Sequence, residues 1–282
     1  MSEPGDFNGC SKSSRIIEEP FNILEIQARS RYYELTYRQP IIQRASSEFA
    51  LGLTFSRQES ETELGIDNIG PFPISPGADE QARTRISALR FFQDWVQRSD
   101  RQVIAARSQF SFGLGVLDAT IHDRAPDSRF FAWRGQAQWT QLLARDTLLL
   151  VRTDVQLADR ALVPLEQFGI GGQETVRGYR QDALLTDNGV LFSTELRFLI
   201  LRTAQNTGLL QLTPFIDVGT GWNCNGIRPD PNTLVGAGIG LLWRQSDFSA
   251  RLDFGFPLVA IEGDKRSLQE KGIYFSVRYS PN

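Results

Sequence analysis

The chain has 282 residues, 41% of them hydrophobic, and a formal net charge of -3 at pH 7. That balance leaves no basic face for nucleic acid, and the only lysines are Lys12, Lys265 and Lys271. Two cysteines, Cys10 and Cys224, are too few for a disulfide framework, and a lone His122 gives no zinc ligand set, so neither a metal nor a cofactor is expected.

Taken in chain order, residues 1–19 are polar, lack a basic-then-apolar export signal and read as a disordered leader. Residues 20–282 read as a single β domain. Weak period-2 alternation runs near 20–28, 31–39, 47–57, 83–96 and 101–114. Pro71, Pro73 and Pro76 with Gly65, Gly70 and Gly77 mark a long loop among these runs. From there the alternation is strict. Phe131, Trp133, Gly135, Ala137 and Trp139 oppose Ala132, Arg134, Gln136, Gln138 and Thr140. Leu149, Val151, Thr153, Val155 and Leu157 follow in the same way, then Val190, Phe192, Thr194, Leu196 and Phe198 against Ser193, Glu195 and Arg197. Leu210 to Gly219, a weaker run at 232–244, Phe248 to Phe256 and Ile273 to Tyr279 complete about twelve strands by this test. The pattern predicts an all-β, antiparallel meander, and Pro214 is awkward in it because proline gives no ladder hydrogen bond.

Two long strands flank a connection at 159–188, too long to be a plain turn. It contains F-G-I-G-G-Q-E-T-V-R-G-Y, Phe168 to Tyr179. Gly169, Gly171 and Gly172 allow such a loop to fold back against a wall. Arg177, followed by Gly178 and Tyr179, carries a rigid fork of donors that needs a carboxylate once it leaves water. Asp217, on the polar face of a later strand, is the candidate partner.

Other motifs read more plainly. Gly236, Gly238 and Gly240 alternate in a strand and lack the G-x-G-x-x-G spacing of a nucleotide site, so they mark a thin strip of wall or a close backbone approach. His122 sits in a polar turn with no nucleophile motif nearby, and no catalytic residue is assigned. Glu195, Asp217 and Asp253 share a polar face, which leaves an acid/base pair open as a weak option.

Two architectures suit the alternation. In a soluble β protein the apolar face makes a core, whereas in a membrane barrel it meets lipid and the polar face lines a wet lumen. Strands near the roughly nine to eleven residues that cross hydrocarbon, mid-strand charges and aromatics at strand ends favour the barrel.

On these residues the chain resembles the C-terminal barrel of two-partner secretion transporters, the haemolysin secretion/activation proteins of the barrel-assembly superfamily. The resemblance rests on Arg177-Gly178-Tyr179 and on Phe215, Asp217 and Gly219, an F-x-D-x-G segment, in that order on an alternating chain. It implies an outer-membrane barrel of sixteen strands, about twelve of them here, with a long loop folded into the lumen. Arg177 would bond Asp217 as an internal latch, Gly178 and Tyr179 would shape the tip, and Gly219 would let that tip approach the wall.

The implied function is export of a large haemolysin- or adhesin-like partner protein in an extended state, by a monomer in outer-membrane lipid, without nucleotide, and not as an enzyme. The family's export signal and periplasmic domains are not legible here, so a fragment with open sheet edges is expected. Two alternatives stay open: an outer-membrane protein insertion factor of the same superfamily, and a soluble all-β carbohydrate-active protein.

Overall fold

The computed structural model describes residues 6–15, 26–64, 70–71, 73, 75–203, 208–224, 226, 228–261 and 267–281. The strands, in chain order, are β1 (Asp6–Arg15), β2 (Ile26–Gln43), β3 (Ser47–Leu64), β4 (Gly70–Pro71) and β5 (Arg83–Arg98). They continue with β6 (Gln102–Leu114), β7 (Phe131–Ala144), β8 (Thr147–Ala158), β9 (Phe168–Ile170) and β10 (Leu184–Thr186). The last five are β11 (Asn188–Arg202), β12 (Gly208–Trp222), β13 (Thr233–Gln245), β14 (Phe248–Pro257) and β15 (Ile273–Tyr279). Among the described residues the only helical turn is Pro164–Glu166.

One sheet takes every strand except β9 and β10, in the order β1-β2-β3-β5-β6-β7-β8-β11-β12-β13-β14-β15, with β4 added to β3. Sequence neighbours are therefore sheet neighbours, which is the meander that short turns enforce. β9 and β10 form a small hairpin of their own inside the 159–188 connection.

Two expectations need correction at the front of the chain. Asp6–Arg15, expected within a disordered leader, forms β1 and pairs with β2 from Asp6↔Thr36 to Arg15↔Gln27. Main-chain hydrogen bonds make that ladder, so it requires no hydrophobic alternation in β1. The separate runs expected near 20–28 and 31–39 are one strand from Ile26 onward, because the ladder to β3 continues without a break from Ile26↔Leu64 to Pro40↔Ala50. Residues 20–25 of that expectation lie outside the described residues.

Pro214 leaves a mark. The β11–β12 ladder runs from Asn188↔Trp222 to Glu195↔Phe215, lapses at Pro214 and Thr213, and resumes at Phe198↔Leu212. On its other side Pro214 stays in register with Ile239.

The chain divides into two compact units: residues 1–95, 107–134 and 157–167, and residues 96–106, 135–156 and 168–282. In the first, Ile86, Ala88, Phe130, Ala132, Leu162 and Val163 form the buried apolar cluster. The start of the long connection is held there, with Arg90 Nη2 donating to Glu166 Oε1 at 2.5 Å. On β2 of the same unit, Tyr33, Leu35 and Tyr37 are exposed while Glu34, Thr36 and Arg38 alternate with them on the more buried face.

In the second unit the apolar cluster is Phe168, Ile170, Val176, Tyr179, Leu191 and Leu234. Four of those six belong to the loop. The core of this unit is thus a loop packed on one face of a sheet, and among the described residues no buried apolar cluster lies on the other face. That other face holds Phe192, Ile216, Ile239, Leu241, Trp243, Phe254, Phe256, Phe275 and Val277, all exposed. Phe192 is 47% and Ile216 51% exposed, so these side chains do not converge on a dry interior. A soluble sandwich would bury that face, whereas a membrane barrel turns it to lipid.

Candidate functional site

The site lies in the second unit, where the tip of the 159–188 loop meets the polar face of β11 to β15. Period 2 puts Ser193, Glu195 and Arg197 of β11, Phe215 and Asp217 of β12, Gly236, Gly238 and Gly240 of β13, and Arg251 and Asp253 of β14 on this face. The loop rests on it.

Arg177 is 1% exposed and Asp217 is fully buried. Nε donates to Asp217 Oδ2 at 2.7 Å and Nη2 to Oδ1 at 2.8 Å, the bidentate fork geometry. The Arg177 amide adds a third bond to Asp217 Oδ2 at 3.2 Å, and Ser193 Oγ donates to Oδ1 at 2.6 Å. The remaining fork nitrogen, Nη1, donates to Glu195 Oε2 at 2.8 Å. The guanidinium carbon stands 3.4 Å from the centroid of the Phe215 ring, a cation–π contact in a dry setting. Burial by itself would disfavour the cation. The Asp217 and Glu195 bonds outweigh it and hold the Arg177 pKa above the ordinary arginine value.

The charges continue along the wall. Glu195 also accepts from Arg251 Nη2 at 2.6 Å and, through Oε1, from Arg197 Nε at 2.8 Å. Arg251 in turn grips Asp253 through Nε at 2.6 Å and Nη2 at 3.0 Å. Gln173, on the loop, donates to Asp253 Oδ2 at 3.2 Å. The loop is therefore tied at both Gln173 and Arg177 to one network spanning β11, β12 and β14.

Gly178 and Tyr179 complete the tip. Gly178 has φ +106°, and a Cβ there would stand 2.9 Å from Pro257 N and 3.0 Å from Phe256 C. Both conditions favour glycine. Its amide donates to Tyr274 Oη at 2.8 Å, and Tyr274 Oη donates to Tyr179 O at 2.5 Å, so one hydroxyl from β15 serves two loop backbone groups. Tyr179 Oη sits between Val235 O at 2.8 Å and Val259 O at 2.9 Å and accepts from Val259 N at 3.1 Å.

The glycines sort differently from expectation. Gly219 makes room for Ile170 and Val176, loop residues that flank the tip, rather than for Arg177 itself. The backbone of the tip meets Gly236, where an added Cβ would collide with Arg177 O, and Gly255, where it would lie 2.6 Å from Gly178 N. Gly169, Gly171 and Gly172 face Asp182, Arg180 with Ala183, and Gln181, so they close the loop on its own return limb and not on the wall. Thr175 Oγ1 fastens that fold to Gly171 N at 2.8 Å and to Gly171 O at 2.7 Å.

Nothing in the sequence singles out Glu195, Arg251, Asp253, Ser193 and Tyr274 as partners of the loop. Their signal in the sequence was a place on the polar face, which many residues share. What distinguishes them is sheet register, which brings Asp217 opposite Ser193 and Asp253 opposite Gly240.

Residues 11–242 match the family model of the haemolysin secretion/activation proteins ShlB/FhaC/HecB. No curated protein sequence is significantly similar to the chain. Among solved structures, CdiB from Escherichia coli superposes with a TM-score of 0.76 at 16% identity, over 97% of this chain and 49% of that one. CdiB from Acinetobacter baumannii gives 0.71 at 19% identity, over 98% and 47%. BamA from Haemophilus ducreyi lacking POTRA domains 1-3 gives 0.57 at 13% identity, over 97% and 61%. The chain spans about half the length of the two CdiB structures. With the antiparallel fold shared with these structures, and most of its length within the family model, the chain belongs to the haemolysin secretion/activation family of outer-membrane β-barrel proteins.

Proposed function

We propose that the chain supplies the C-terminal barrel portion of an outer-membrane pore that exports a large partner protein in an extended state. In this reading the wall of β11 to β15 lines the conduit, its outer face meets lipid, and the 159–188 loop is a plug element held by Arg177 and Asp217. The observation that carries it is the buried Arg177 fork on Asp217 and Glu195. A chain that only needed a stable wall has no use for a loop pinned across its wet face. A loop held by reversible ion pairs can instead leave and return, and no nucleotide is required to move it. The lipid-facing assignment rests on the uncharged outer face from Phe192 to Val277.

The experiment is secretion from cells making the complete protein and its partner. Arg177→Ala or Asp217→Ala is expected to cut the partner released to the medium at least fivefold with barrel levels unchanged. Unaltered release from both variants would reject the latch role. The likeness to BamA supports a second reading, an insertion factor. Loss of other outer-membrane proteins in the same variants, with partner release intact, would favour that reading over the pore.

A further inference from the structure

Beside the loop tip lies a cavity of about 250 Å³, walled by β7, β8, β11, β14 and the loop. Four arginines face it, Arg152, Arg177, Arg197 and Arg251, against only two carboxylates, Glu174 and Glu195. The buried acceptors are already committed. Glu195 serves three of those arginines, and Asp217 and Asp253 are taken up by Arg177, Ser193, Arg251 and Gln173.

The donors are not exhausted. Arg197 uses Nε alone, which leaves both terminal nitrogens of its fork without a partner among the described residues. Among the described residues Arg152 reaches only Glu174, at 3.8 Å, and that glutamate is 83% exposed, so the pair is loose and weakly held. On the same face of the neighbouring strands, Arg244 lies opposite Ser249, diagonal to Arg251, and adds a further cation with no carboxylate partner among the described residues. Arg152 and Arg197 flank the cavity from adjacent strands, since Arg152 is in register with Ser193 and Arg197 with Leu148.

Two planar forks with donors to spare at one polar cavity are suited to a carboxylate, which a guanidinium binds through two parallel hydrogen bonds. We infer that this cavity is an oxyanion site that takes the acidic side chains of an extended polypeptide, gripped by Arg152 and Arg197. The inference rests on the export reading for the source of that polypeptide. Each grip is weak and exchangeable, because both forks remain partly wet, and an extended chain could move past them one acidic side chain at a time.

The test is calorimetric titration of the full chain in zwitterionic detergent. Three probes are used: an extended peptide with spaced glutamates, the same peptide with glutamines, and inorganic phosphate. The glutamate peptide is expected to bind with a Kd that rises at least tenfold in Arg152→Gln, which breaks no bond of the Arg177 network. Binding should weaken as salt is added. Equal binding of the glutamate and glutamine peptides, or an unchanged Kd in Arg152→Gln, overturns the site. Binding of phosphate without the glutamate peptide overturns the polypeptide as occupant. Failed export with glutamate binding intact would instead refute the pore reading and leave this site standing.

Discussion

Removing one member of the Arg177–Asp217 pair tests the physical core of the site. Arg177→Ala deletes three charge-assisted side-chain bonds at 2.7 to 2.8 Å. Asp217, fully buried, then keeps only Ser193 Oγ at 2.6 Å and the amide of residue 177. Glu195 is less affected because Arg251 and Arg197 still hold it. A buried pair broken on one side costs about 3–5 kcal/mol, and the surviving Ser193 bond places this case near the lower end, at about 3 kcal/mol. Asp217→Ala leaves Arg177 with Glu195 at 2.8 Å and the more distant Asp253 at 3.8 Å, and costs a similar amount, about 3 kcal/mol. In the double variant neither charge is left uncompensated, so the total is about 3–4 kcal/mol rather than about 6, a coupling of about 2–3 kcal/mol. The measurement is hydrogen exchange across residues 171–183 in the detergent-solubilised chain, which reads the free energy of loop release. Losses that add to within about 0.5 kcal/mol would show that the two side chains act independently, and the reasoning would fail.

Three further outcomes follow from the same geometry. Gly236→Ala places a methyl against Arg177 O, so amide exchange at the tip should speed up by more than tenfold while strand amides stay protected; a protected tip would contradict the contact. Tyr274→Phe removes one hydroxyl that bonds both Gly178 N and Tyr179 O, and should cost the loop about 1–3 kcal/mol by the same exchange measurement, with no change expected in the Arg177 pairing. Ile216→Arg, on the exposed outer face, should lower stability in lipid bilayers by about 2–4 kcal/mol, measured by reversible urea unfolding from vesicles, and a neutral effect would remove that face from the hydrocarbon.

The alternation that defines the strands was legible because a half-buried sheet imposes period 2 on its side chains wherever its two faces meet different surroundings. The strands β7, β8, β11, β12, β13, β14 and β15, the outward set Phe192 and Ile216, and the inward set Glu195, Asp217 and Asp253 could be placed by that rule, whereas the short β9 and β10 fall within the stretch read as a loop. β1 could not, since its place depends on main-chain bonds to β2 rather than on its own side chains. Arg177 and Asp217 were paired from chemistry, because a loop arginine among glycines needs an acceptor once it leaves water. The second acceptor, Glu195, was visible only as one of several strand carboxylates.

Sequence by itself determined the strand meander, the two faces and the demand of Arg177 for a carboxylate, because these are local properties of side-chain type and spacing. Tertiary structure alone decided which glycines take the loop tip and which residues surround it. Those outcomes depend on the register between strands far apart in the chain and on the path of one loop. Gly236 and Gly255 receive the tip, Gly219 does not, and Tyr274 bonds it from 95 or more residues away. No periodicity within a strand encodes a distance to a segment of chain that far removed.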